Sequence, residues 1–219
     1  MSKASKLPVT VSFVSQKGGV GKSTLARLTA VGAAHRGLRT LLADFDLEQL
    51  TCVEWNALRL KHAVEPKVDA RAIKSLKKLR KSSDDVEFVV ADTRGLADDL
   101  SHEIAEESDV IFLPTGTSGD DLRPTLALAG KLTKHGAQGR VVLILSKIGR
   151  SESQLARAVQ AIAEAGFERL AEHWPLRDGF AAELDFGRAG REVRNSRLRD
   201  IAERVENAIF ARVTTSKPR

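Results

Sequence analysis

The chain has 219 residues, 42% of them hydrophobic, a formal net charge of +6 and one cysteine, Cys52. That length suits one α/β domain with a proper core, a lone cysteine excludes an internal disulfide, and no apolar run approaches the roughly 20 residues that span a bilayer. The opening MSKASKLP has no apolar stretch long enough for a signal peptide, so the expected location is cytoplasmic.

Short apolar runs alternate with amphipathic stretches. Val9–Val14 reads as a strand and Ser23–Arg36 as a helix, with Leu25, Leu28, Ala30 and Val31 at helical spacing before Gly37 ends it. Further strands are expected at Arg39–Ala43, Val86–Ala91, Val110–Pro114 and Val141–Ser146, with a weaker one over Leu170–Pro175. Helices are expected at Leu47–Leu60, Ala70–Lys81, Ser101–Glu107, Leu122–Lys134, Glu152–Ala165 and Val193–Val213. Strands apolar on both faces must be covered by helices on both sides, which predicts a single-domain, doubly wound α/β fold with a mostly parallel sheet. The expected domain runs over 8–213, with residues 1–7 and 214–219 as disordered ends.

The segment SQKGGVGKST, residues 15–24, lies between the first strand and the first helix. A phosphate-binding P-loop reads G-x-x-x-x-G-K-[ST], and here Gln16 stands where its first glycine belongs. The strand–loop–helix context still fits. Gly18, Gly19 and Gly21 free the backbone so that successive N–H groups can surround a phosphate, with Val20 and Thr24 inside the same loop. Lys22 is placed to neutralise the β/γ charge and Ser23 to offer a hydroxyl to Mg²⁺. Asp44 and Asp46 follow the second strand and Asp92 the third, so their carboxylates converge on the crevice above the sheet. The competing reading is that these aspartates cap helices.

KGGVGKST resembles the deviant Walker A loop of the ParA/MinD family of P-loop ATPases, and QKGGVGKST is similar to its ParA branch. The resemblance implies ATP and Mg²⁺ as cofactors and an ATP-dependent homodimer in which Lys17 reaches the nucleotide of the other subunit. It further implies that Asp46 orients the attacking water, Asp44 supports the magnesium shell and Asp92 holds magnesium through a water. Pro114, Thr115, Ser118, Asp121 and Leu122 look like the family's segment near the dimer interface, and Phe180 to Val193 like its C-terminal stretch. Ser146, Lys147 and Pro175 stand where family members touch the adenine, or are ordinary loop residues. Two departures stand out. The switch runs Asp46-Leu47-Glu48-Gln49 where the family has D-x-D-P-Q, and Arg94 replaces the proline of its D-x-P-G; the DTRG sequence is also similar to VirC-type ATPases.

The basic residues fall into two groups. Arg188, Arg191, Arg194, Arg197 and Arg199 lie within twelve residues, and Arg71, Lys74, Lys78 and Lys81 recur at helical spacing. With few aromatics interleaved, phosphate contact with double-stranded DNA is the expected mode. By resemblance the arginine cluster is the DNA surface; the alternative for both groups is a solvated face. About eight residues precede the first strand, which resembles the short ParA form that works with a separate centromere-binding or cargo-adaptor protein. The expected function is a nucleoid-associated ATPase that segregates or positions cargo. The alternatives are a VirC-like or scaffold ATPase with little turnover and a MinD-like membrane ATPase. The last helix carries Glu203 and Glu206 beside its apolar face, which favours packing on the sheet over a membrane.

Overall fold

A computed structural model describes residues 8–95 and 99–216. Its strands are β1 (Val9–Phe13), β2 (Thr40–Asp44), β3 (Asp69–Ala72), β4 (Phe88–Asp92), β5 (Val110–Thr115), β6 (Val141–Ile148), β7 (Glu168–Arg169) and β8 (Trp174–Pro175). They form one sheet in the order β3-β2-β4-β1-β5-β6-β7, with β8 also pairing with β6. Every described pairing is parallel. The helices are α1 (Lys22–His35), α2 (Thr51–Lys61), α3 (Leu76–Ser82), α4 (Asp99–Glu106), α5 (Gly119–Leu132), α6 (Glu152–Glu164), α7 (Asp178–Leu184) and α8 (Ser196–Thr215).

Alternate residues of each central strand feed opposite cores, because successive side chains point to opposite faces of a sheet. Val11, Phe13, Leu42, Val90, Phe112 and Ile144 pack with α1 and α8. Ile111, Leu113, Leu143 and Leu145 meet α5 and α6, while Leu41, Ala43, Val89 and Ala91 meet Leu79 and Ile104 from α3 and α4. The doubly wound arrangement follows. Ala202, Val205 and Ile209 of α8 are fully buried in the first of these cores, so the apolar face of this helix is covered by the sheet. Among the described residues no helix is long and apolar enough to cross a membrane.

Several boundaries differ from the expectation. The helix expected over Ala70–Lys81 is instead β3 followed by α3. Asp69–Ala72 bond along β2 from Leu41 to Asp44, and an edge strand with mostly exposed side chains needs no apolar alternation to mark it. Helix α2 starts at Thr51 rather than Leu47, since residues 47–50 form the turn after β2. The single strand expected over Leu170–Pro175 is two short ones, α5 ends in a π turn at 133–137 where Gly136 takes φ 92°, and the short α7 carries no distinct signal. Thr214 and Thr215, assigned to a disordered tail, complete α8. The expected disorder of residues 1–7 lies outside the described residues, as do 217–219.

A buried ion pair fixes α2 to the chain before α8. Arg59, with no exposed side-chain surface, binds both oxygens of Glu192 at 2.6 Å and donates to the Gly187 carbonyl at 3.0 Å. Gly187, at φ 71°, permits the approach, for a Cβ there would lie 2.2 Å from the Arg59 Cα. Removing one partner of a buried pair leaves an uncompensated charge, so Glu192→Gln is expected to lower stability by about 3 kcal/mol. Urea denaturation at pH 7 checks this; an unchanged midpoint would refute it.

Candidate functional site

The loop after β1 delivers the phosphate-loop residues to the carboxyl edge of the sheet. Its end is set by Gly21, whose φ of 97° is left-handed and whose missing Cβ leaves room for Ser146: a Cβ would stand 2.6 Å from the Ser146 Oγ. No side chain caps α1, whereas α3, α5, α6 and α8 are capped by Ser75, Ser118, Ser151 and Asn195. The first turn of α1 therefore keeps its backbone donors for another acceptor, and its dipole favours an anion there.

Above this turn lies a cavity of about 210 Å³ lined by Gly18, Gly19, Gly21, Lys22, Ser23, Thr24 and Asp46 together with Gln49, Thr51, Thr93, Gly95 and Lys147. Lys147 holds φ 56°, a conformation costly for a residue with a Cβ. Of the residues expected to contact nucleotide, Lys17, Val20, Ser146 and Pro175 are not among the cavity walls. Ser146 is buried beside Gly21 with its Oγ unpartnered, and Pro175 is buried in β8. Gln49 belongs to the switch segment and Thr93 and Gly95 to the DTRG segment, whereas Thr51 carries no sequence signal of its own.

Asp92 lies under the cavity. Burial pushes its carboxyl up to about 6, opposed by the Ser23 hydroxyl, the Cys52 thiol and the Lys22 ammonium, and reinforced by Asp44. The Cys52 thiol donates to Oδ2 at 3.2 Å while Oδ1 has no hydrogen-bond partner. Burial likewise pushes the Cys52 thiol well above its usual range and pulls the Lys22 ammonium below its own, the latter opposed by Asp92 and Asp46. Nothing in the sequence marked Cys52 as a partner of Asp92.

Asp44 is fully buried and caps α2. Its Oδ2 accepts from Cys52 N at 2.8 Å and Val53 N at 3.3 Å, and its Oδ1 from Asp46 N at 3.1 Å. Burial still leaves its carboxyl above the usual range. Both oxygens accept amide hydrogens, so Asp44 shapes the site by holding the switch turn and α2. Asp46 is only half-buried, and its Oδ1 accepts from the amides of Glu48 and Gln49 at 3.3 and 3.1 Å.

The residues present fit a nucleotide and Mg²⁺: an orphaned buried oxygen on Asp92, a serine hydroxyl against it, an uncapped helix start and a buried lysine. Among the described residues no group of three or more His, Cys, Asp or Glu is placed to hold a metal ion.

Lys17 is held away from the cavity. Its ammonium pairs with Asp121 of α5 at 3.1 Å, and the Ser118 hydroxyl together with Lys17 lowers the Asp121 carboxyl. The arginine cluster is also largely engaged within the chain. Arg188 pairs with Glu183 at 2.9 Å, Arg191 with buried Glu206 at 3.4 Å, Arg194 with Glu183 at 3.6 Å, and Arg199 donates to the Val193 and Arg194 carbonyls. Arg197 is exposed and has no ion pair among the described residues.

The model of the CobQ/CobB/MinD/ParA nucleotide binding domain matches residues 11–181. A Rhizobium radiobacter protein described as Protein ParA is 26% identical over 108 residues, which is 49% of this chain and 48% of that protein, so the match spans about half of the relative's length. The Borrelia burgdorferi putative plasmid partition protein bound to AMPPNP is similar in fold, with TM-score 0.72 at 15% identity over 93% of this chain and 99% of that one. The Pyrococcus horikoshii septum site-determining protein MinD complexed with Mg-ADP gives 0.67 at 16% identity over 94% and 99%. At these identities the likeness shows the fold.

Buried Asp92 gives the fold a pH signature. A carboxyl raised from 3.8 to about 6 binds its proton more tightly in the folded state, so its contribution to stability falls as pH rises through that window. Asp92→Asn is expected to remove this slope, gaining most on the wild type near pH 7 and little near pH 4. Denaturant melts of nucleotide-free protein at both pH values check it; parallel pH profiles for the two proteins would refute it.

Proposed function

The chain belongs to the CobQ/CobB/MinD/ParA nucleotide-binding family of P-loop ATPases, and from that premise we propose that it is a ParA-type ATP hydrolase that closes as a dimer around ATP. The dimer binds DNA without sequence preference and is switched by partner-stimulated hydrolysis to segregate or position a cargo. The observation that carries this reading is the convergence of the Lys22 loop, Asp46 and buried Asp92 on one cavity at the sheet's carboxyl edge.

In this reading the amides of the Gly18–Gly21 loop and the first turn of α1 take the phosphates, and Lys22 gains there the counter-charge that burial makes it need. Ser23 and Asp92 would hold Mg²⁺, which screens charge on the phosphates. Asp46, with Oδ1 fixed by two amides, keeps its other oxygen for orienting water and accepting its proton. Lys17 would leave Asp121 for the partner's nucleotide, so the intrachain pair is the resting position of that lysine. The covered face of α8 argues against a membrane-bound version.

Lys22→Ala is expected to abolish ATP binding, while Asp46→Ala binds ATP normally and hydrolyses it at least about 100-fold more slowly, in line with the usual worth of a general base. Fluorescent-nucleotide titration and phosphate release measure the two; wild-type turnover in Asp46→Ala would remove the water-orienting role. A wild type that binds ATP yet shows no turnover, with DNA and partner present, would favour the scaffold alternative.

The DNA surface proposed is the exposed part of the cluster, Arg194, Arg197 and Arg199, doubled by dimerisation. With four of the five arginines already bonded within the chain, about two to four phosphates are expected to be neutralised, giving a log–log salt slope of roughly −2 to −4. Arg197→Ala should flatten it by up to about 2 per dimer. Binding isotherms in ATP at several salt concentrations check this. An unaltered slope would shift the surface to Lys74, Lys78 and Lys81.

A further inference from the structure

The two departures from the family pattern touch each other. Arg94 Nη2 lies 2.6 Å from Glu48 Oε2, joining the turn after β2 to the turn after β4. Both turns line the cavity, the first through Asp46 and Gln49 and the second through Thr93 and Gly95. The second turn is seated on the phosphate loop, since a Cβ on Gly95 would stand 3.3 Å from the Gly18 Cα and 3.6 Å from the Lys22 Nζ. Thr93 ties the same turn to β1 by donating its hydroxyl to the Phe13 carbonyl at 2.9 Å.

Glu48 thus works at both ends. Its amide, with that of Gln49, donates to Asp46 Oδ1, while its carboxylate is drawn to Arg94. Where the family has a proline in the switch, the backbone is stiffened covalently; here Leu47 takes that place and leaves the turn free to move, and an ion pair from the next residue, Glu48, to the turn after β4 restores the constraint. We propose that Arg94 is a positioning residue for Asp46, acting through Glu48 to hold the switch turn against the phosphate loop. The proposal rests on the reading of Asp46 as the group that orients water. Both side chains are well exposed, at 42% and 70%, so the pair is weak and screened by salt. A tie of that strength biases the turn without locking it, which suits an element that must release between turnovers.

The test uses the full chain with Arg94→Ala, Glu48→Gln and the charge swap Glu48→Arg/Arg94→Glu. Hydrogen exchange of the Glu48 and Gln49 amides is read without nucleotide, and steady-state ATPase beside it. Each single substitution is expected to speed exchange and lower kcat by about two- to five-fold, the range open to an exposed pair. KM for ATP should stay within about twofold, and the swap should bring exchange back. High salt should have the same effect on the wild type and little on Arg94→Ala. Unchanged amide exchange in Arg94→Ala, or failure of the swap to restore it, overturns the proposal. A raised KM with unchanged kcat also overturns it, placing Arg94 on the nucleotide itself. If the wild type shows no turnover, the hydrolase reading fails, and the exchange measurement alone still decides whether Arg94 holds the turn.

Discussion

The parallel register of β1, β4 and β2 is the constraint on which the remainder of the site depends. Phe13 is paired with Asp92, and Asp92 with Asp44, so three strands end at one level. From that level the phosphate loop leaves β1, Asp92 points under it, and Asp44 turns the chain into α2. A shift of one residue in any of these ladders would send the carboxylate to the opposite face and leave Lys22 without its counter-charge.

The same ladder brings charged groups into a low-dielectric place before any ligand arrives. Lys22, Asp92 and Asp44 are all buried, and each is displaced toward its neutral form by that burial. Their mutual attraction and the amides on Asp44 offset part of the cost, but Asp92 Oδ1 remains without a donor. A site of this kind gains on binding a polyanion with its cation, because the ligand supplies what the fold withholds. Its rim is different in character: Asp46, Glu48, Arg94 and Lys17 are at least partly exposed and held by single ion pairs or turn bonds that exchange readily.

Away from the cavity, charge serves the fold. Arg59 with Glu192 and Arg36 and Arg191 with Glu206 bind the C-terminal region to α2 and α1, and Glu206 is fully buried beside Gly32, where a Cβ would meet its side chain. Of the arginine cluster, Arg188 and Arg191 share in this wiring through Glu183 and Glu206, while Arg194, Arg197 and Arg199 stay exposed.

The sequence by itself determined the class of fold and the kind of site. Runs such as VVLILS and FVVA are apolar on both faces, as the interior of a covered parallel sheet requires, and the glycines and Lys22-Ser23 between a strand and a helix define a phosphate loop through local backbone chemistry. Tertiary structure alone decided what depends on neighbours distant in the chain. β3 is a strand because β2 offers it a free edge, Asp44 is a cap because α2 begins beneath it, and Cys52 donates to Asp92 only because their strands and helix meet. The arginines found acids that helical spacing does not reveal, and Glu48 found Arg94 on the turn after β4, 46 positions away along the chain. Local propensity is written in consecutive residues; which charge meets which is fixed only when the ladders close.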